Sequence, residues 1–489
     1  MASSIAQPAS IALPPPQARS QGIALRRGLT LLGMTLLVPG SAQLAVGKKR
    51  LGRLAVRTWL GLIALFLLLV VLAIPFRSFV IGLYANPVTL TVLRWLVLAL
   101  GAGWALLVAD AWWLANPRNM STRGRWLSGV LTLALVVTGS GTAWAASGLF
   151  ASQSKLVTNV FTGGGSNQTQ KGRYNILLLG GDAGKSRDGL RPDSITVASI
   201  DAGTGRTVLF SLPRNMQHVP FPADSPLHAK YPNGYFCPVK DLADACLLNG
   251  VYTLAQQNRK LFPGVERPGV EATKGVVEEV LGLKINYWAM IDMVGFKELI
   301  DAVGGIRLDI NKRVPIGSLH GRGGVYDWIE PGKNVKLDGF HALWFARSRE
   351  YSSDYERMAR QKCVMNAMLK QLKPETVLTK FQAIAEAGEQ IVATNLPTSE
   401  IGTMLELAMR GKSLPMASVS FTPPLITPMD PDFAKIRTVV ADKIAASEAR
   451  DATPNGSATP TTSTSGKPRK TGSSKTQVDN LDAVCKVSA

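Results

Sequence analysis

Long apolar runs mark the first 150 residues, and short apolar runs alternating with helical periods mark most of the remaining chain. Leu54–Ile74, Trp95–Leu114 and Trp126–Gly148 each approach the ~20 residues a helix needs to cross a bilayer. A shorter run, Leu29–Val46, is broken at Pro39–Gly40 and flanked by basic residues. It predicts a re-entrant or interfacial hairpin within a cytoplasmic segment 1–53. A fourth span would carry Arg26 and Arg27 across the membrane. Three transmembrane helices are then expected within 54–150. Residues 151–172 read as a Gly/Ser linker.

Beyond the linker, YNILLLG (174–180), SITVASID (194–201), RTVLFSL (206–212), NYWAMID (286–292) and GIRLDI (305–310) read as strands. MASVSF (416–421) could be one more. Helical periods occupy 247–262, 270–281, 293–304, 338–346, 354–373, 376–410 and 431–447. Strands mixed with helices predict an α/β domain over 173–448, a central mixed sheet covered by helices on both faces. Residues 449–489 read as a disordered Ser/Thr/Pro-rich tail that ends near a cysteine.

Charge sharpens the topology. The 489 residues carry a net charge of +20, which invites a nucleic-acid reading. Its distribution argues otherwise: residues 1–150 hold 13 Lys and Arg against one acid, Asp110, so +12 of the excess lies in the apolar head. Arg26–Arg27, the cluster Lys48–Arg57 and the cluster Arg118–Arg125 all fall on one side if three spans cross. Everything after about residue 150 is then outside the cell. No helix-turn-helix stands out, so no nucleic-acid partner is expected. Four cysteines suit an oxidising exterior. Cys237 and Cys246 flank a short loop and are expected to pair. If Cys363 and Cys485 also pair, the tail is stapled to the helix predicted over 354–373. No C-x-x-C spacing points to zinc.

One motif misleads. YNILLLGGDAGKS looks like a strand entering a phosphate-binding loop, but it has one residue too few between Gly180 and Gly184–Lys185, and Gly189 and Pro192 interrupt the helix that should come next. The stronger signal is the arginine and aspartate content of three patches, 180–194, 211–215 and 344–361. They hold Asp182, Arg191, Asp193, Arg214, Arg347, Arg349, Asp354, Arg357 and Arg360. Guanidinium forks match phosphate oxygens, and nearby carboxylates suit a magnesium ion shared with a phosphate. Arg191 precedes a predicted strand and Arg214 comes just after one, where α/β sheets build sites. Arg347 and Arg349, two apart, would point the same way in an extended segment. Asp354, Arg357 and Gln361 share a helical stripe, with Met358, Met365, Leu369 and Leu372 expected on the opposite, buried one. Val276, Val277, Val280, Leu281, Phe296 and Leu299 are candidates for an apolar groove, although such residues are more often plain core.

Taken in order, Asp182, Arg191-Pro-Asp-Ser, SLPRN, VGFKELIDAVGGIRLDI and LDGFHALWFARSREYSSDYERMARQ resemble the LytR–CpsA–Psr family over about 173–375. The basic multi-span head with LLVPGSAQL resembles actinobacterial members. The resemblance implies a membrane-anchored, extracellular phosphotransferase that moves a glycopolymer from a polyprenyl-pyrophosphate lipid onto peptidoglycan with Mg²⁺. It implies that Asp182 and Asp193 are metal-associated, with one of them an alternative general base. It implies that Arg191, Arg214, Arg347, Arg349 and Arg357 bind pyrophosphate and, with Asp193, form the catalytic set. Arg360 and Gln361 complete the expected substrate-binding set, and Asp354 is a further polar position. Asn215 stands where the family usually has Ser or Thr plus Asp, and His218 lies about where some members place another basic residue. Two other functions remain open on sequence: hydrolysis of the same lipid pyrophosphate, and a non-catalytic membrane protein of envelope signalling or transcription attenuation.

Overall fold

A computed structural model describes residues 16–72, 82–83, 86–160, 169–182, 191–237, 246–318, 324–371, 392–451, 478–480 and 485. The chain divides into two compact units, Met1–Lys155 and Leu156–Ala489.

In the first unit, α1 (Pro16–Leu37) turns at Pro39–Gly40 into the short α2 (Ser41–Ala45), as the broken apolar run predicts. Gly40 adopts φ 93 there, a left-handed conformation that costs glycine nothing. Helices α3 (Lys49–Leu72), α4 (Pro87–Leu114) and α5 (Thr122–Val160) come next. All three are long and apolar enough to cross a membrane. The α1–α2 turn docks on α4: Gln43 donates to the Leu107 carbonyl at 2.9 Å, and Lys48 pairs with Asp110. The one acid of the head thus has a structural partner. Helix α5 runs to Val160, so 151–160 is helical rather than linker.

The second unit is built on a sheet of seven strands. These are β1 (Arg173–Asp182), β2 (Arg191–Asp201), β3 (Thr207–Leu212), β4 (Tyr287–Asp292), β9 (Val392–Thr394), β10 (Ala417–Ser420) and β11 (Val478–Asn480). Their spatial order is β11-β10-β3-β2-β1-β4-β9. The sheet is mixed: β1–β4 and β3–β10 pair parallel, whereas β1–β2, β2–β3, β4–β9 and β10–β11 pair antiparallel. Its helices are α6 (Gly250–Gln257), α7 (Pro268–Leu281), α8 (Met293–Ala302), α9 (Gly339–Arg347), α10 (Asp354–Gln371), α11 (Ile401–Gly411) and α12 (Phe433–Asp451).

Strand alternation sorts the two faces. Leu177, Leu179, Val197 and Phe210 point into the main core, where Val251 of α6, Val276 and Val280 of α7 and Ile436 of α12 meet them. Leu178, Ala198 and Leu209 point the other way, toward Met365 of α10 and Cys485. Val276, Val277, Val280 and Leu281 are essentially unexposed members of that main core. They fill the sheet's closed face, so these four are packing residues and not groove.

Two small hairpin-like pairs complete the domain: β5 (Ile306–Ile310) with β8 (Gly332–Leu337), and β6 (Val314–Ser318) with β7 (Gly324–Ile329). Of these four strands, only β5 matches one expected from the pattern. They share a second core with Ile300 of α8, Phe345 of α9 and Val364 of α10. Strand β9 interrupts the helix expected over 376–410, of which α11 is the described remainder. The tail expected to be disordered, 449–489, is ordered where it is described, since 449–451 complete α12 and 478–480 form β11, and 452–477 lies outside the described residues.

Candidate functional site

One end of the sheet gathers the arginine and aspartate patches. Antiparallel β1 and β2 set the end of one beside the start of the other, with Gly180 opposite Ser194 and a bulge between Gly180 and Gly181. Ile195 pairs with Leu212, so Pro213–Arg214 emerges at the same end. Parallel β4 brings Asp292 beside Gly181. Carboxyl ends of strands are where open α/β sheets place ligands, and bulges recur at such places. Gly180 and Gly181 stay inside the sheet, which removes the phosphate-loop reading at its first glycine. Gly184–Ser186 lie outside the described residues.

From this end runs an alternating chain of charges. Arg349 Nη2 donates to Asp193 Oδ2 at 3.0 Å, and Arg214 Nη1 donates to Asp193 Oδ1 at 2.7 Å. Arg214 Nε reaches Asp354 Oδ2 at 3.3 Å, and Arg357 Nη1 lies 3.2 Å from Asp354 Oδ1. Three guanidiniums against two carboxylates leave the set cationic. Burial opposes the charge on Arg214, but Asp193 and Asp354 outweigh it and hold its pKa above the ordinary value.

Arg357 is the anomaly. It is 2% exposed. Among the described residues its Nε and Nη1 have no hydrogen-bond partner, and Nη1 has only the ion pair with Asp354. Burial, with Arg349 and Arg214 adding repulsion against the pull of Asp354 and Asp193, drives its pKa down to about 10. A buried cation with unmatched donors is costly. It is matched if an anion enters.

Arg357, Asp193 and Gln361 line both a small polar recess and a larger apolar cavity of about 400 Å³. That volume falls within the ~300–1,000 Å³ usual for small-molecule sites. Leu178 of β1, Ala289 and Ile291 of β4, Phe296 and Leu299 of α8, and Leu369 of α10 form much of its wall. Two of the six groove candidates, Phe296 and Leu299, therefore do face a cavity. Asp292 is at its rim as the N-cap of α8, accepting from Gly295 N at 2.8 Å, and burial pushes its carboxyl pKa up.

Several expectations change. Arg347 is the last residue of α9 and Arg349 lies in the loop beyond it, so the two do not share an extended segment. Arg347 lines the apolar cavity with its guanidinium 5.6 Å from the Trp344 ring centre, while Arg349 turns to Asp193. Arg360 is not at the recess. Its fork donates to the Phe345 carbonyl at 2.7 Å and to the Ser348 carbonyl, which ties α9 to α10. Asp354, Arg357 and Gln361 do share a face, but Met358, Met365 and Leu369 line the same hollows. Met358 is buried as expected, together with Cys363, Val364 and Ala367, which the pattern did not single out, and Leu372 lies outside the described residues. Asn215 lines the polar recess. His218, at φ 54, stacks on Phe236 with ring centres 4.6 Å apart. The side chains of Asp182 and Arg191 lie outside the described residues, although their backbones pair at the ends of β1 and β2.

Sequence reasoning passed over Thr196, Ser211 and Lys362, which also line the recess. Thr196 and Ser211 share a hydrogen bond of 3.2 Å. Polar residues inside otherwise apolar strands were the available signal. The expected pair Cys237–Cys246 forms, and Cys363, left open on sequence, pairs with Cys485, each pair with Cα atoms 5.5 Å apart.

Comparison with known proteins decides the family. The profile of the LytR_cpsA_psr family matches residues 136–424. The chain belongs to the LytR–CpsA–Psr family. Among curated relatives, it is 25% identical over 232 residues to the polyisoprenyl-teichoic acid–peptidoglycan teichoic acid transferase TagU of Bacillus mycoides, covering 47% of this chain and 62% of that one. It is 29% identical over 235 residues to the TagU of Enterococcus faecalis, covering 47% and 64%. It is 26% identical to the biofilm regulatory protein A of Streptococcus mutans, covering 46% and 50%. The match thus spans less than two thirds of each of these relatives. Similar solved structures include TagV of B. subtilis, at TM-score 0.40 and 23% identity over 57% of this chain and 99% of that one. Another is TagT bound to LI-WTA, at TM-score 0.37 and 20% identity over 56% and 92%.

Proposed function

We propose that this LytR–CpsA–Psr protein is a membrane-anchored phosphotransferase that moves a glycopolymer from a polyprenyl-pyrophosphate lipid onto peptidoglycan. The observation that carries this reading is Arg357, a buried guanidinium whose donors are not all met among the described residues, where a cationic recess meets an apolar cavity. A pyrophosphate satisfies the donors, and the polyprenyl tail fills the cavity. The transferase names of the curated relatives support the same reading. Three membrane-spanning helices would place the sheet domain outside the cell, beside its lipid substrate.

In the reaction, an acceptor hydroxyl oxygen attacks the sugar-linked phosphorus. A new P–O bond forms, the bond to the bridging oxygen breaks, and polyprenyl phosphate leaves with the electron pair. The hydroxyl proton passes to a carboxylate or to water, with Asp193 or Asp182 as the carboxylate assigned. Negative charge builds on the bridging and non-bridging oxygens. Arg214, Arg349 and Arg357 are held in place to meet it without reorganising. Arg347 and Gln361 stand at the cavity wall to orient the lipid phosphate, and Arg191 is assigned to the same work from its place at the start of β2.

Mg²⁺ belongs to this proposal. Among the described residues no group of three or more His, Cys, Asp or Glu could hold a metal, and both oxygens of Asp193 already accept from arginines. Magnesium is commonly held by one or two carboxylates plus substrate phosphates. We therefore assign Asp193, after release of one arginine contact, together with Asp182 as the carboxylates that would hold an ion arriving with the pyrophosphate, where it would neutralise phosphate charge.

The test uses the full chain in lipid nanodiscs with a lipid-pyrophosphate-linked glycan and peptidoglycan. Arg214→Ala and Arg349→Ala should each lower turnover by about 10²-fold or more while the domain stays folded, and EDTA should stop turnover. Normal turnover by both variants sinks the reading. Release of free polymer alone, with acceptor present, assigns the site to hydrolysis.

A further inference from the structure

Between Arg349 and α10 lies a turn built around an unexpected residue. Ser352 N donates to the Arg349 carbonyl at 3.1 Å, which closes a four-residue turn with Glu350 and Tyr351 at its centre. Tyr351 holds φ 56. Glycine or asparagine usually takes that left-handed position, and a bulky side chain there is disfavoured. The surroundings over-determine the turn. Arg360 Nη2 donates to Ser352 Oγ at 3.3 Å and also to the Ser348 carbonyl. Ser353 and Glu356 cap α10 reciprocally, side chain to backbone N–H, at 3.2 and 3.3 Å.

The tyrosine so held is 72% exposed. One face of its ring stacks on Trp328 of β7, with centres 5.8 Å apart and planes 30° apart. Arg313 sits 4.3 Å from the centre of the same indole. Tyr351 thus stacks on an indole that a guanidinium also contacts, and it stays largely open to solvent. Backbone strain kept for an exposed aromatic two residues from a charge-bearing site residue is a functional signature. The apolar C–H face of a pyranose packs flat on such a ring while its hydroxyls stay in water, and the amphipathic phenol suits both.

We infer that Tyr351, backed by Trp328 and Arg313, is a sugar-binding subsite that takes a pyranose ring of a glycan beside the phosphate-binding arginines. The choice of ligand rests on the glycopolymer-transfer reading. The sugar belongs either to the acceptor glycan or to the first residue of the donor polymer, since both must reach the phosphorus near Arg349.

The experiment titrates the full chain in nanodiscs with chitotetraose, which has neither phosphate nor lipid. Tyr351→Ala should bind about tenfold more weakly, and Tyr351→Phe should bind as the wild type does. Tyr351→Asn suits the turn, so it should weaken binding with its thermal midpoint unchanged, which excludes a folding defect. A raised KM for the acceptor in Tyr351→Ala assigns the ring to the acceptor glycan, and a raised KM for the donor alone assigns it to the donor sugar. Wild-type affinity in Tyr351→Ala, or no measurable chitotetraose binding by the wild type, overturns the inference. A raised donor KM with chitotetraose binding unchanged assigns the ring to the lipid headgroup and overturns it too. If no protein transfers polymer, the functional reading fails while the titration still decides this one.

Discussion

Arg357 keeps its charge at neutral pH although its surroundings weaken its hold on the proton. Burial lowers its pKa to about 10, so its charge, present below that value, is lost as pH rises through it. An anion at Nε and Nη1 stabilises the protonated form and pulls the pKa back up. By linkage, anion affinity must fall as pH rises through about 10. Calorimetry with a short polyprenyl pyrophosphate between pH 8 and 11 should show this, and Arg357→Gln should bind weakly with the fall removed. A fall of the same size in Arg357→Gln assigns the titration to another group. The residue type was legible at this scale: arginines and aspartates at strand ends announced an anion site. Their partners were not. Arg349 and Arg214 share Asp193 across sequence separations that no local pattern reports, and Arg360 differs from Arg357 only in where its fork comes to rest.

Helix α10 carries most of the site. Its N-terminal turn supplies Asp354 and Arg357, its middle supplies Gln361 and Met365, and its far face packs Val364 and Ala367 into the second core. Gly339, at the start of the neighbouring α9, is required by packing, since any Cβ there would collide with the Lys297 carbonyl. That contact holds α8 and α9 together at the cavity. The cavity makes a prediction at this scale. Leu299→Trp should fill space that a long polyprenyl chain needs, and lower turnover of a full-length lipid donor about tenfold. Binding of a two-isoprene pyrophosphate should change little, because the arginines are untouched. Equal loss for both ligands would show that the substitution had disturbed the site as a whole. Helical periods in the sequence located α7, α8 and α10 closely, but apolar residues look alike whether they face core or cavity. Val276 and Phe296 show the point, one sealed in core and the other lining open space.

Across the whole molecule, the tail returns to the sheet. Strand β11 pairs antiparallel with β10 and covers that edge of the sheet, which shields an edge otherwise open to pairing. Cys485 bonds to Cys363 of α10 across a sequence separation of 122. A long closed loop restricts the unfolded chain strongly, so Cys485→Ser should cost about 2–4 kcal/mol, read as a lowered urea midpoint for the sheet domain. The mutant should also turn over substrate more slowly, because the same helix carries Arg357. An unchanged midpoint would mean that the tail adds nothing to the fold.

Apolar run length, charge asymmetry and residue type reside in the chain itself. They were enough to mark three candidate spans, a mixed α/β domain, one cysteine pair and an anion-binding set. These properties are local or additive, so they survive without coordinates. Tertiary structure decided which arginines converge, which apolar residues leave space, and that β5 to β8 form a second core. It alone set Tyr351 on Trp328 in a strained turn. Each of those depends on strand register and on close contact between residues distant in sequence, and a one-residue shift of either would undo it.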